Sequence, residues 1–437
     1  MNNGNGVHHD QEIRRNDHER QQLETSAGNN VHTNGFHYLT LHARQSLPKF
    51  EYRGNDRSLL YAYILSPLAA FLVNNCTPRW VAPNLITLTG LMFMILSYLV
   101  IWHYVPALVW TDEDDDADNT SKSTSTALPR WIFTYHCIAM LIYQTLDNMD
   151  GKQARRTGSS SPLGLLFDHG CDAINSIFGS VNWIISLGLD PQHDALMCWA
   201  LVLGPMAMFY ISTWEEYYTG ELILPIINGP NEGLLGGALL SFTTALYGKE
   251  FWLSTSWTDS IPFLPTTLRN ADLQVMIACI GFLQEIVLKS NLVTTTYGYK
   301  TLLTLIPFAV LLGTTLGIGY LDMQVWLRMP RTSVHLCSAL FVEMTTQIML
   351  DHITKETFRP FRWAILPMVL LLALIGTDQL SAGSTTDDFL LIYASALWAY
   401  LLLKMKLVIN EICMVLQIWC FDITTPRSRS LNKKKLI

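Results

Sequence analysis

The chain has 437 residues, of which 50% are hydrophobic and 15% are charged, and its formal net charge is −7. Its eight cysteines form no regularly spaced pairs, which excludes a disulfide-rich or zinc-stabilised domain. Much of the acidic excess lies between Asp112 and Asp118. The net charge therefore does not indicate a basic partner, and no nucleic-acid partner is expected.

Apolar blocks of about 20 residues, the length of a helix that crosses a bilayer core, recur along most of the chain. Residues 1–45 precede them and are rich in polar residues, so we expect a disordered cytosolic N-terminus. The next block, 58–76, is short and contains Pro67, and we expect an amphipathic helix at the membrane interface. Candidate spans then follow at 84–106, 131–149, 163–188, 194–217, 233–249, 271–290, 301–322, 333–350, 362–378 and 387–409.

The sequence therefore predicts an all-α integral membrane protein with about ten transmembrane helices. Its orientation follows from Lys and Arg, which are in excess in short cytosolic loops. With both termini in the cytosol, most basic connections lie inside, and the acidic loop 111–129 lies outside with a glycosylation sequon at Asn119. The loop 323–332, which carries Arg328 and Arg331, is the exception.

Four aspartates cluster where the second candidate span ends and the third begins. Asp147 and Asp150 are three residues apart, and Asp168 and Asp172 are four apart. Both spacings place side chains on one face of a helix, so the two pairs can face each other. Carboxylates at a membrane boundary repel one another unless a cation binds them, and oxygen ligands favour Mg²⁺ or Mn²⁺.

Small and basic residues surround these carboxylates. Gly151 and Gly164 leave room for a phosphate near the backbone, while Lys152, Arg155 and Arg156 add positive charge that can hold phosphate oxygens. The alternative is that the aspartates only solvate helix ends, which is the usual role of a single aspartate there. Four aspartates at helical spacing favour a site for metal and phosphate.

The same segment resembles the signature of the CDP-alcohol phosphotransferase family. Every fixed position of that signature is present: Asp147, Asp150, Gly151, Ala154, Arg155, Gly164, Asp168 and Asp172. The sequence segments 147–158, 167–172, 213–220, 229–233 and 410–413 resemble those of the choline/ethanolaminephosphotransferase branch of the family. The resemblance covers the chain from about residue 40 to residue 424.

The resemblance implies an enzyme that transfers phosphocholine or phosphoethanolamine from CDP-choline or CDP-ethanolamine to diacylglycerol, within membrane lipids. It implies that Asp147, Asp150, Asp168 and Asp172 bind two divalent ions, Mg²⁺ or Mn²⁺, that hold the diphosphate. Substrate contacts are expected from nearby residues, namely Asn84, Thr87, Gly151, Lys152, Ala154, Arg155, Gly164 and Glu216.

The resemblance also predicts how the chain is organised. Residues 46–290 are expected to hold the interfacial helix and a catalytic bundle from the first six spans. Residues 291–410 would add helices for packing and for a homodimer interface. Residues 411–437 are expected to form a cytosolic basic tail, which follows from the Lys and Arg distribution and not from the resemblance. The last residues, Lys434-Lys435-Leu436-Ile437, resemble a dilysine retrieval signal of the endoplasmic reticulum membrane, with the Golgi as an alternative location.

Several residues are candidates for the base that accepts the proton of the attacking hydroxyl. His169 lies beside Asp168, but consecutive helical residues point about 100° apart, so packing or capping is the alternative role. Asp172 is the other candidate for the base. Glu216 and Glu232 can assist from adjacent positions or can be ordinary solvated loop residues.

Two further sets of residues have alternative interpretations. Asn84 and Thr87 lie one turn apart at the start of the first span, where they can meet the nucleotide or simply begin the helix. Trp214, Tyr217 and Tyr218 can surround a quaternary ammonium, but an interfacial aromatic belt is the favoured role.

A cation transporter is the competing class of protein, because it would also place carboxylates in a helical membrane protein. A transporter predicts acidic groups deep within the spans and an internal repeat. The aspartates here lie at span ends beside a basic loop, and no repeat is visible in the sequence. These features favour the enzyme.

Overall fold

The computed structural model describes residues 37–106, 108 and 128–427. The acidic loop with Asn119 and the terminal lysines lie outside the described residues. Helices dominate the described part of the chain, which confirms the all-α class. Two short strands, β1 (Gly54–Asp56) and β2 (Leu222–Leu224), pair in parallel with Gly54 opposite Leu222.

Helices follow one another through both halves of the described chain. The N-terminal half contains α1 (Leu41–Ser46), α2 (Ser66–Asn75), α3 (Pro83–Tyr104), α4 (Arg130–Thr157), α5 (Pro162–Ser186), α6 (Ala195–Thr219) and α7 (Leu234–Tyr247). The C-terminal half contains α8 (Glu250–Leu253), α9 (Asn270–Tyr297), α10 (Ile306–Leu321), α11 (Gln324–Leu327), α12 (Pro330–Thr354), α13 (Leu366–Gly376) and α14 (Ser384–Leu416). Short 3₁₀ segments (Leu47–Lys49, Thr258–Ser260, Tyr299–Leu305 and Trp363–Ile365) and π turns (Tyr61–Leu65 and Gly229–Gly233) connect them.

A tight connection between α4 and α5 positions the carboxylates. Gly158 adopts a left-handed conformation with φ of 67°, and its N–H donates to carbonyls in the last turn of α4. Ser161 then caps α5 by accepting a hydrogen bond from the Gly164 N–H, and Pro162 occupies the first turn. The chain reverses within these few residues, so the end of α4 lies beside the start of α5.

Five segments of the described chain are long and apolar enough to cross a membrane: Pro83–Tyr104, Ala195–Thr219, Asn270–Tyr297, Tyr299–Leu321 and Pro330–Thr354. The other predicted spans correspond to α4, α5, α7, α13 and α14. Of these, α4 and α5 carry the clustered aspartates, while α7 and α13 are short. The number of about ten spans stays a prediction.

The helical segment before α3 is continuous, although it contains Pro67. The π turn Tyr61–Leu65 leads directly into α2, and Pro67 occupies the first turn of that helix. Ala69 and Val73 are buried, whereas Tyr63 and Phe71 are exposed. One side of the segment therefore packs on the bundle and the other is apolar and uncovered, and its position at a membrane interface stays a prediction.

Residues 37–45 have defined structure, although the sequence predicts that they are disordered. Disorder is expected through residue 45, yet the backbone N–H groups of His37, Tyr38 and Leu39 donate to the Glu411 carboxylate at 2.6, 3.0 and 2.9 Å. Helix α1 follows directly. The prediction of disorder is wrong for residues 37–45, because a carboxylate on a distant helix holds a segment whose own composition is polar.

The main hydrophobic core of the described residues extends from Leu91 on α3 to Leu401 on α14, and two smaller clusters lie beside it. Helix α12 lies within this core and packs against α5, α6 and α14. In its most apolar stretch of 18 residues, 83% of the residues are buried. In contrast, only 17% of the residues are buried in the most apolar 18-residue stretch of α9. The core continues across residue 290, so the two predicted parts of the chain share one bundle.

The two arginines that depart from the charge rule both have structural partners. Arg331 donates to the carbonyl groups of Val105 and Pro106 at 2.6 and 2.9 Å and thereby caps the end of α3. Arg328 forms an ion pair with Asp387 at 2.7 Å. These contacts give a physical reason for two basic residues in this loop.

Candidate functional site

Three of the four aspartates converge between α4 and α5. Asp147 on α4 and Asp168 and Asp172 on α5 each offer one carboxylate oxygen, and these atoms lie within 4.8 Å of one another. Residues four apart lie on one face of a helix, which brings Asp168 and Asp172 to the same side of α5. The predicted facing of the two helix ends is therefore present in the structure.

The donor set fits a divalent cation. Asp147 Oδ1 and Asp168 Oδ1 are buried and have no hydrogen-bond partner among the described residues. Burying several carboxylates together without a counter-charge is costly, and a cation among them removes that cost. The converging atoms are all carboxylate oxygens, which suits Mg²⁺ or Mn²⁺ better than a metal that prefers sulfur or nitrogen.

Two hydroxyl groups donate hydrogen bonds to carboxylates of the cluster and hold them in place. Thr87 on α3 donates a hydrogen bond to Asp150, and Tyr143 on α4 donates one to Asp172. Both donors are neutral, so they orient the carboxylates without cancelling their charge. Tyr143 is absent from the sequence-based predictions, although it precedes Asp147 by one helical turn and therefore lies on the same face of α4.

A buried histidine and glutamate lie beside the carboxylate cluster. His169 Nε2 is 3.2 Å from Glu216 Oε2 on α6, and His169 Nδ1 is 3.8 Å from Asp168 Oδ2. Glu216 is 1% exposed, which rules out a solvated loop position. A hydrogen bond from Nε2 to Glu216 leaves Nδ1, which is buried and has no partner among the described residues, able to accept a proton.

A second histidine, His352 on α12, approaches the same glutamate. Its Nε2 atom is 3.9 Å from Glu216 Oε1. The sequence-based predictions do not include His352, and no local motif marks it. It reaches the site only because α12 packs against α6 in the fold.

The three basic residues at the C-terminal end of α4 do not all point in the same direction. Lys152 donates to the Ser66 hydroxyl at 2.8 Å, and Arg156 donates to the Thr77 carbonyl at 2.8 Å. Both side chains thus hold α2 and the turn after it, and neither contacts the carboxylate cluster. Arg155 is exposed and lies beside Gly151, where an added Cβ would be 3.5 Å from the guanidinium.

The remaining predicted substrate residues lie at the ends of α3, α4 and α5. Asn84 donates to the Cys420 carbonyl at 3.0 Å, so the segment after α14 reaches the start of α3. A Cβ on Gly164 would lie 3.7 Å from Asn84 Oδ1, which places these two residues together. Ala154 is half-buried one turn beyond Asp150.

The structure does not bring Glu232 to the cluster. Its carboxylate accepts hydrogen bonds from the Ser58 hydroxyl at 2.6 Å and from the Asn228 N–H at 3.0 Å. Beside it, Asp56 accepts from the Asn231 amide at 2.8 Å, and burial raises the pKa of the Asp56 carboxyl. Both oxygens of Glu232 thus stabilise the loop before α7, which gives this predicted catalytic residue a structural role instead.

The aromatic residues of α6 pack within the protein. Trp214 is fully buried and donates from Nε1 to the Thr304 hydroxyl at 2.7 Å. The Tyr217 hydroxyl donates to the Glu356 carbonyl at 3.1 Å. The expectation of an interfacial belt is wrong for Trp214, because the segment before α10 covers it.

A cavity lies beside the carboxylates and extends between α4, α5, α6, α7 and α9. Asp147, Asp172 and Tyr143 line one end of it. Its body is largely apolar and includes Met140, Met208, Phe209, Leu234 and Phe282. A long apolar cavity that ends at carboxylates suits a molecule with hydrocarbon chains and one reactive polar end.

Comparison with known proteins agrees with this site. Residues 80–223 match the model of a family described as CDP-alcohol phosphatidyltransferase. Choline/ethanolaminephosphotransferase 1 of Arabidopsis thaliana is 33% identical over 89% of this chain and 98% of its own length. Choline/ethanolaminephosphotransferase 1 of Saccharomyces cerevisiae is 33% identical over 55% of this chain and 57% of its own length. The chain therefore belongs to the CDP-alcohol phosphatidyltransferase family.

Proposed function

We propose that this protein transfers phosphocholine, phosphoethanolamine or both from the CDP-linked alcohol to diacylglycerol and releases CMP. The observation that carries the proposal is the convergence of Asp147, Asp168 and Asp172, of which Asp147 and Asp172 line an apolar cavity. This arrangement supports a cation-binding site for a diphosphate next to space for acyl chains. The names of the Arabidopsis and yeast relatives support these head groups, and the comparisons give no support to a cation transporter.

The four aspartates would hold the divalent ions, for which we propose two Mg²⁺ or Mn²⁺. When bound, such ions neutralise the diphosphate charge that grows on the leaving group. We assign contacts with the nucleotide and diphosphate to residues at the ends of α3, α4 and α5, namely Asn84, Gly151, Ala154, Arg155 and Gly164. Thr87 acts through Asp150, and Lys152 positions α2 against α4.

His169 is the proposed base. The diacylglycerol hydroxyl attacks the head-group phosphorus, the new oxygen–phosphorus bond forms, and the bond to the bridging oxygen breaks as CMP leaves with the electron pair. His169 Nδ1 accepts the hydroxyl proton, and Glu216 stabilises the resulting cation through Nε2 at 3.2 Å. Asp172, the other candidate, already accepts a hydrogen bond from Tyr143.

The test is a head-to-head assay of the purified protein with CDP-choline and CDP-ethanolamine, diacylglycerol, and Mg²⁺ or Mn²⁺. We expect CMP and phospholipid to form in equal amounts with at least one donor, and EDTA to stop the reaction. Absence of CMP with both donors, from a preparation that elutes as a single folded species, would contradict the proposal. Cation flux without CMP would instead support the transporter.

We further propose that the protein resides in the endoplasmic reticulum membrane as a homodimer with both termini cytosolic. The distribution of Lys and Arg and the dilysine ending support the location and orientation, and the family resemblance supports the dimer. Protease protection of terminal tags in sealed microsomes tests the orientation. Cross-linking of two differently tagged copies tests the dimer.

A further inference from the structure

The end of the cavity farthest from the carboxylates is polar. His136 on α4 and Ser180 and Trp183 on α5 line it, and His136 and Ser180 are 1% and 2% exposed. His136 Nε2, the Ser180 hydroxyl and Trp183 Nε1 are buried and have no hydrogen-bond partner among the described residues. We call these three residues the polar floor of the cavity.

The polar floor is rich in hydrogen-bond donors. The Asn182 amide nitrogen and the Ser97 hydroxyl lie 2.8 and 3.0 Å from His136 Nδ1. With the amide in this orientation its N–H donates to Nδ1, which assigns the imidazole proton to Nε2. The indole Nε1 of Trp183 also carries a proton. The floor therefore presents two N–H groups and a hydroxyl, which need an acceptor such as a water oxygen.

The depth of the floor decides which part of a lipid can reach it. His136 precedes Asp147 by 11 residues on α4, and Trp183 follows Asp172 by 11 residues on α5. A rise of 1.5 Å per residue puts these two residues about 16 Å from the carboxylates along the helix axes, and Ser180, eight residues beyond Asp172, about 12 Å away. The reacting hydroxyl and the neighbouring esters of diacylglycerol must stay near the carboxylates, so only hydrocarbon extends toward the floor.

We propose that the polar floor limits the length of the acyl chain that the cavity accepts. A chain that stops above the floor leaves water on the three donors. A longer chain displaces that water and offers no acceptor, which leaves buried donors unsatisfied. The protein then favours diacylglycerol with shorter chains, and this inference rests on the proposed function.

The test is competition between didecanoylglycerol and distearoylglycerol in one reaction, with the two phospholipid products quantified by mass spectrometry. Ser180→Ala and Ser180→Val both remove a floor hydroxyl, and Ser180→Val also fills space. We expect each variant to raise the ratio of long-chain to short-chain product by at least about fivefold, because one unsatisfied donor is removed. Thr243→Val, which removes a hydroxyl on α7 outside the cavity, should leave the ratio unchanged.

The two serine variants separate polarity from size. If space at the floor set the limit, Ser180→Val would lower the long-chain ratio, and that result would overturn the proposal. An unchanged ratio in both variants would overturn it as well. Failure of the proposed function is distinguishable, since the wild-type protein would then form no product from either lipid.

Discussion

The two ends of the cavity both bury polar atoms that lack partners among the described residues, but their chemistry is opposite. At one end, Asp147 lines the cavity and converges with Asp168, and both carry unpaired carboxylate oxygens, whereas at the other end the polar floor presents two N–H groups and a hydroxyl. Carboxylates at such a position require a cation, whereas neutral donors require only water. The comparison teaches that charge is confined to the end where the phosphates would react, and that the deep end is polar without being charged.

Loss of a carboxylate should produce the largest effect. Asp168→Asn keeps the shape of the side chain and removes its charge, so we expect CMP release to fall by at least about 1,000-fold. Asp259→Asn, which alters an exposed loop carboxylate, is the matched control and should stay within about twofold of wild type. Activity of Asp168→Asn within about tenfold of wild type would refute the role of this end of the cavity.

Loss of the proposed base should produce the next largest effect. In His169→Gln, no group accepts the hydroxyl proton, and we expect kcat to fall by about 100- to 1,000-fold with little change in KM for the CDP-linked donor. Steady-state kinetics of CMP release measure both constants. His103→Gln, at an exposed position on α3, is the control. A kcat within about threefold of wild type would assign the proton to another residue.

Loss of a carboxylate-orienting hydroxyl should have a moderate effect. Tyr143→Phe removes the donor to Asp172 while keeping the ring that lines the cavity, and we expect turnover to fall by about tenfold. Tyr135→Phe, on the same helix, should change turnover by less than about twofold. An unchanged rate in Tyr143→Phe would show that Asp172 keeps its position without this hydrogen bond.

Coupling between the two ends should be the smallest effect. Tyr143→Phe changes the rate, and Ser180→Val changes the chain-length ratio, through groups that share no partner among the described residues. We expect the double variant to show both changes. Its rate and its product ratio should each differ by less than about twofold from the product of the two single-variant effects. Rate and product ratio measured in one reaction test this. A larger departure would mean that the lipid transmits strain from the floor to the carboxylates.

The carboxylate cluster was predictable because its geometry is local. Spacings of three and four residues fix which face of a helix Asp147 and Asp172 occupy, and the tight connection between α4 and α5 brings the faces together. The same reasoning would have found Tyr143, one turn before Asp147. The all-α class followed equally from the length of the apolar blocks.

Contacts between distant parts of the chain could not be predicted in this way. His352 approaches Glu216, and Glu411 holds the backbone of residues 37–39, over separations that carry no periodic signal. Glu232 shows the opposite error, since an acidic residue in a family-like segment has structural partners. The polar floor required the cavity itself, because each of its members resembles an ordinary residue within a span.

The most direct test of the central claim is a titration of the purified protein with Mn²⁺, followed by the electron paramagnetic resonance signal of the free ion. For the wild-type protein we expect a saturable loss of that signal, at about two ions per chain. We expect the loss to disappear in a variant that combines Asp147→Asn with Asp168→Asn and still elutes as a folded protein. Equal binding by both proteins, or no binding by the wild type, would contradict a cation site at the carboxylate end of the cavity.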